Sequence, residues 1–293
     1  MGRLWDEYIF ANSIAHGLEI LDAYHGKARL MAGGTDLLLR LQAGDFQIQC
    51  IVDITRIEGL GKVSQSGDKI CIGAALTHAE SRSNPLIREQ LPLLSEASSH
   101  VGTPQVRNQG TILGNVINAQ PAADTAVALS ALDGEICIES KQGVKWQPIA
   151  DLYEDIGRSR VDSTREIGTA IRCRSIKTGE GWAYLRIKGR NDLWLPALNT
   201  AVWISISNGK VLSNRIVMGP VAPVPFRAKQ TEDLLNGSTI SMALVERAAQ
   251  EAMKEANPRD SVLRGSSGYR KELARVLVRR ALLQSLERAG VNI

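Results

Sequence analysis

Aromatic residues are scarce in this chain of 293 residues: three Phe, five Tyr and five Trp make up only 4% of it. Apolar residues still reach 44%, so the interior must be built mainly on aliphatic packing. The length suits one large domain or two smaller ones. Cysteine is equally sparse. Cys50, Cys71, Cys137 and Cys173 stand far apart with no Cys-x-x-Cys pair. That spacing excludes a zinc ribbon or a local iron–sulfur motif and leaves four thiols expected in a reduced interior. His16, His25, His78 and His100 show no ligand spacing and are expected at the surface or at helix caps. No apolar run of membrane-spanning length occurs. The opening "MGRLWDEYIFANS" lacks a basic region followed by an apolar core and a small-residue cleavage site, so a cytoplasmic location is expected. An excess of one charge is missing too: 35 basic against 31 acidic residues leave +4, spread along the chain, and nothing calls for a nucleic-acid partner. Neither GxGxxG nor GxxxxGK[ST] is present, which removes an ordinary Rossmann site and a P-loop.

What is present is a pair of glycine-bearing loops. In "ARLMAGGTDLLLR", residues 28 to 40, a short apolar run turns on Gly33 and Gly34 and continues into a helix-like stretch. A strand-to-helix turn of this kind exposes backbone N–H groups, tolerates positive φ and lets a phosphate approach with no Cβ in the way. Thr35 adds a hydroxyl. A purely structural connection would use the same residues. The second loop lies about 80 residues further on, where "NQGTILGNVINAQPAAD" offers Thr111, Gly114 and Asn115 before a helix expected from Asp124. Two such loops can clamp one dinucleotide from both sides.

The coarse reading between and beyond them is mixed. Residues 13 to 25 read as a helix with Ser13 as cap, 28 to 32 as a buried strand, 35 to 44 as a helix ending at Gly44, and 49 to 55 as another strand. A hairpin around Ser66-Gly67-Asp68, helices within 77 to 99, a long loop from 102 to 123 and a hairpin near Gln142-Gly143 follow. From about residue 182 the texture changes to strands, with Asn208-Gly209 as a turn, and then to helices near 227 to 236, 240 to 256 and 267 to 289. The arginines of the last helix are expected on a solvated face.

"AGGTDLL" at 32 to 38, "GTILGN" at 110 to 115 and "PAAD" at 121 to 124 together resemble the FAD-binding subunit of the molybdenum hydroxylases, the group of carbon monoxide dehydrogenase and bacterial xanthine dehydrogenase. "VDI" at 52, "IGAALTHAE" at 72, "YLRIKGRNDLW" at 184 and "GPVAPVPFRA" at 219 sit where that family would put them. The resemblance implies an α+β protein: a two-part α/β FAD-binding domain over residues 1–176, then a smaller α+β domain over 177–293 with an antiparallel sheet and C-terminal helices. It implies that Leu30, Met31, Ala32, Gly33, Gly34, Thr35, Asp36 and Leu37 wrap the pyrophosphate. Thr111, Gly114, Asn115 and Asn118 would line the phosphates and sugar chain, and Asp124 would accept from a cofactor hydroxyl. Lys188, Asp192 and Trp194 would lie near the isoalloxazine, with Val101, Gly102 and Arg107 at the ring or acceptor pocket. The implied role is electron transfer, with no catalytic side chain and no metal in this chain. Its partners would be a large molybdopterin subunit and a small 2Fe-2S subunit, with NAD or another carrier as acceptor.

One position departs from the pattern. The family usually reads Gly-Gly-Asn where this chain has Leu113-Gly114-Asn115. Either the backbone there is ordinary, or the flavin pocket is altered. The latter would suit a binding or assembly subunit with a degraded site; a stand-alone flavin oxidoreductase would need a substrate base that neither loop supplies.

Overall fold

In the computed structural model, which describes residues 3–187 and 195–293, the first helix begins at Ser13. Its side chain accepts from the His16 N–H and starts α1 (Ile14–Ala23), which follows β1 (Glu7–Phe10). Helix α1 buries Gly17, Ile20 and Leu21. After β2 (Ala28–Met31) the chain turns through the paired glycines into α2 (Leu37–Ala43), closed by Gly44 in the left-handed conformation at φ 80°. Strand β3 (Cys50–Asp53) then lies between β1 and β2, parallel to both. This is the expected β-turn-α-β run, with one strand, β1, that the sequence reading did not find.

A second sheet follows. The hairpin β4 (Val63–Ser66) and β5 (Lys69–Gly73) turns at Gly67 as expected. Helices α3 (His78–Ser83), α4 (Pro85–Gln90) and α5 (Pro92–Ser99) occupy the stretch read as helical. The long loop is a different matter. It holds two short helices, α6 (Pro104–Gln109) and α7 (Ile112–Ile117), each started by a threonine side chain, Thr103 and Thr111, that accepts an N–H from the first turn. These caps offset the weak helix propensity of the Gly, Asn and Gln residues there. Helix α8 (Asp124–Ala131) begins where expected and is buried on nearly every side. Then come the hairpin β6 (Glu135–Ser140) and β7 (Gly143–Pro148), a small hairpin β8 (Tyr153–Asp155) and β9 (Arg158–Ser159), and β10 (Ile167–Arg174). Strand β10 is central in the antiparallel order β4-β5-β10-β6-β7.

The third sheet runs β11 (Glu180–Ile187), β12 (Leu198–Ser207), β13 (Lys210–Gly219) and β14 (Phe226–Arg227), all antiparallel. Its β12–β13 turn uses Asn208 and Gly209, both at positive φ, as a tight hairpin requires. Both faces of this sheet are covered. Ala201, Trp203 and Val217 join the core of the first half, while Val202, Ile204, Ile216 and Met218 pack under α10 (Met242–Glu255) and α11 (Ser267–Arg288), with α9 (Lys229–Leu235) beside them. The alternation that fixes one residue to each core is the strand period of two. One arginine of α11 departs from the solvated face expected for it. Arg270 is 2% exposed and donates to the carbonyls of Ala197, Arg259 and Pro220, tying three segments to the helix.

Candidate functional site

The two glycine loops meet. A Cβ on Gly33 would run into the carbonyl oxygen of Gln109 and lie 2.9 Å from the Gly110 Cα, so only glycine fits where the first loop crosses the second. Gly34 is at φ 69°, a conformation that glycine adopts without strain. The second loop is held in turn by backbone bonds to the start of α3: His78 N–H donates to Gly110 O at 3.0 Å and Ile112 N–H to Leu76 O at 3.0 Å.

Between the loops lies a cavity of about 390 Å³, within the size range of small-ligand sites. Leu30, Met31, Ala32, Gly33, Gly34, Thr35, Asp36 and Leu37 line it, and so do Val101, Thr111, Gly114, Asn115 and Asn118. Among the described residues, the N–H groups of Gly33, Gly34 and Thr35 find no acceptor in the protein. Three unspent donors on a glycine turn suit an anionic group such as a pyrophosphate. Asn118 and Thr35, one from each loop, stand beside the Asp36 carboxyl and favour its charged form. Burial nevertheless holds that carboxyl above its ordinary range. Asn115 accepts from the Thr125 hydroxyl at 2.6 Å, which fixes its amide against α8.

The remaining site residues fall elsewhere. Gly102 follows Val101 but is not among the lining residues; the Arg107 guanidinium donates to the carbonyls of both, at 2.9 Å each. Asp124 is outside the cavity lining. Its buried carboxylate accepts from the Tyr184 hydroxyl, from Asn199 at 3.3 Å and from Arg186 at 3.3 Å, all three in the third sheet. The structure thus gives Asp124 protein partners that join the two halves of the chain. Lys188, Asp192 and Trp194 lie outside the described residues.

Leu113 resolves the departure noted in the sequence. It is the second residue of α7, its φ is not positive, and its side chain is 5% exposed, packed where Gly168 has no Cβ to obstruct it. The backbone there is ordinary, and the Leu113 side chain is also among the residues that line the cavity. Several lining residues carried no signal in the sequence: Arg29, Arg40 and Phe46, and Glu154, Arg158, Ser163 and Glu166 from β8 and the stretch between it and β10. Arg29 and Arg40 place their guanidinium groups 4.8 and 5.1 Å from the Phe46 ring centroid. Arg40 is paired with Asp45 and Arg158 with Glu154, while Arg29 donates to the Ser163 hydroxyl and, among the described residues, has no ion pair, so it is the lining cation best placed for an anionic ligand.

His78 corrects another expectation. It is 2% exposed, lines the cavity, and its Nδ1 has no partner. Burial, helped by the nearby Arg107 charge, pushes its pKa down to about 4. The neutral ring is therefore built into the fold. Because the unfolded chain takes up this proton near pH 6.5 and the folded chain only near pH 4, stability falls as pH drops through that window, by up to roughly 3 kcal/mol at its lower end. Thermal denaturation from pH 7 to pH 4 checks this: a His78→Gln variant should lose less stability over the window than the parent, and equal losses would rule the histidine out.

Among the described residues no helix is long and apolar enough to cross a membrane, and no three His, Cys, Asp or Glu side chains gather into a metal-binding group. Comparison with known proteins agrees with the two-loop cavity. Residues 4–173 match the model of the FAD binding domain in molybdopterin dehydrogenase, and residues 183–285 match the CO dehydrogenase flavoprotein C-terminal domain. The 6-hydroxypseudooxynicotine dehydrogenase complex subunit alpha of Paenarthrobacter nicotinovorans is 30% identical over 97% of this chain and 95% of its own length. The carbon monoxide dehydrogenase medium chain of Hydrogenophaga pseudoflava is 29% identical over 94% of this chain and 95% of its own. A solved structure of carbon monoxide dehydrogenase from Hydrogenophaga pseudoflava superposes with a TM-score of 0.92 at 30% identity, covering 98% of this chain and 99% of that one.

Proposed function

Since the chain belongs to the family of FAD-binding medium subunits of molybdenum hydroxylase complexes, we propose that it is the electron-transfer subunit of such a complex, set between 2Fe-2S clusters in a small partner subunit and an external acceptor. The observation that carries this reading is the cavity closed by two interlocking glycine loops, with the Gly33, Gly34 and Thr35 N–H groups unspent. FAD bound there supplies redox chemistry that couples one-electron carriers to a two-electron acceptor. The chain's own part is to bind and orient. The Gly33–Thr35 turn and the Thr111–Asn115 segment receive the pyrophosphate, the Arg29 guanidinium offsets its charge, and Val101 lines the same cavity.

No lining residue is asked to be a base or a nucleophile. In this reading the substrate is oxidised in a large molybdopterin subunit, the acceptor is NAD or another carrier, and the complex works in the cytoplasm. The division into an FAD-binding part, 1–176, and a C-terminal part, 177–293, belongs to the same reading; the two family matches support it, as does the hydrophobic core built wholly from residues of the C-terminal part. Removing FAD from the assembled complex tests the role. The stripped complex should still reduce its clusters from substrate but should lose acceptor reduction, and added FAD should restore it. An acceptor rate unchanged by stripping would contradict the assignment.

A further inference from the structure

On the other side of α6 from the flavin cavity lies a second, open cleft of about 730 Å³. Arg82 of α3, Arg88 of α4 and Arg107 of α6 converge on it, with Asn108 beside them. Among the described residues the guanidinium groups of Arg82 and Arg88 have no hydrogen bond or ion pair, whereas Arg40, Arg172, Arg227 and Arg288 are each paired with an acid. The one acidic lining residue, Glu96, is already engaged by Arg288 at 3.7 Å, and Arg288 stacks on the Trp182 ring at 3.6 Å. The serine hydroxyls of the rim are spent on backbone carbonyls: Ser83 on Ala79, Ser95 on Arg82 and Ser99 on Glu96. What remains free is cationic: two unpaired guanidinium groups, and a third, Arg107, whose present acceptors are only carbonyls. Such a cluster matches the charge of phosphate oxygens, which arginine pairs bidentately.

We propose that this cleft is a binding site for a small phosphate-bearing anion of nucleotide size, and that its occupation is felt in the flavin cavity through Arg107. The link is short. Arg107 holds the carbonyls of Val101 and Gly102, Val101 lines the flavin cavity, and α6 leads directly into Gly110 of the second glycine loop. An anion that draws the Arg107 guanidinium toward the cleft competes with those two carbonyls and so loosens the Val101 wall. The coupling rests on the flavin reading above; the anion site does not.

The test uses the assembled, FAD-loaded complex, titrated with inorganic pyrophosphate and with ADP at constant ionic strength set by sodium chloride. Calorimetry reads binding and flavin fluorescence reads the cavity. One saturable site per chain is expected for each probe, weakened at least 30-fold in an Arg82→Ala, Arg88→Ala double variant of exposed residues, with a flavin fluorescence change that saturates in step. No saturable binding, or binding unchanged in the double variant, overturns the site. Tight binding of polyglutamate without binding of pyrophosphate or ADP also overturns it, in favour of an acidic protein partner. Saturable binding with a constant flavin signal overturns the coupling alone, and saturable binding to a complex that holds no flavin would sink the flavin reading while leaving the cleft standing.

Discussion

Replacing Gly33 with alanine is expected to lower FAD affinity by about 100-fold, equivalent to about 2.7 kcal/mol, and to destabilise the chain by roughly 3 kcal/mol. The added Cβ meets backbone, not a flexible side-chain end: the Gln109 carbonyl and the Gly110 Cα. Neither can move alone, because Gly110 O is held by the His78 N–H and its own N–H donates to Val106 O at 2.7 Å. The two loops must part, and the donors on Gly34 and Thr35 move away from the Thr111–Asn115 segment. Titration of FAD into parent and variant, with thermal melts of both, measures the effect. Gly44→Ala is the natural control, since nothing lies within 4 Å of a Cβ there, although its φ, unlike that of Gly33, is positive. It should cost only the local backbone strain, about 1 kcal/mol, and leave FAD binding alone.

The second large effect is expected at Asp124. Burial raises this carboxyl above its ordinary range even though Arg186, Tyr184 and Asn199 all favour the charged form. Arg186 also donates to the His100 carbonyl at 2.7 Å, and Asn199 to the Ala122 carbonyl at 3.3 Å, so the third sheet grips both the start of α8 and the approach to Val101. Asp124→Leu takes one acceptor from a guanidinium that is 7% exposed and leaves the hydroxyl of Tyr184 without the carboxylate it donates to. A loss of about 4 kcal/mol follows, which corresponds to a fall in melting temperature of roughly 10 °C. Tyr184→Phe removes one donor and should cost about 1–2 kcal/mol. If Asp124→Leu melts with the parent, the junction does not depend on this carboxylate.

Much of the cavity was legible in the sequence because its chemistry is local. The first loop announces itself as an apolar run, two glycines and a helix closed by Gly44; the second as Thr111, Gly114 and Asn115 within six residues. Their mutual contact was not legible, since it depends on Gly33 meeting Gln109 across more than seventy residues of chain. Strand β10 did carry a signal. Ile167, Thr169, Ile171 and Cys173 alternate inward with period two, but they follow a charged stretch and include Gly168, which masks the pattern. The helices α6 and α7 hide in a composition poor in helix formers because their threonine caps and their packing, rather than propensity, hold them. Asp124 shows the limit most plainly: its place at the start of a helix could be read, but its partners Tyr184, Arg186 and Asn199 come from strands 60 to 75 residues away.

The measurement that bears most directly on the account is an equilibrium titration of FAD, followed by flavin fluorescence, into the parent chain, Gly33→Ala and Leu113→Gly. The parent should bind one FAD saturably, Gly33→Ala should bind about 100-fold more weakly, and Leu113→Gly should gain nothing, because Leu113 sits in an ordinary helical turn and its removal opens a hole in the core. FAD held equally well by Gly33→Ala, or held only once Leu113 is glycine, would contradict the claim that the two interlocked glycine loops of this chain form its flavin site.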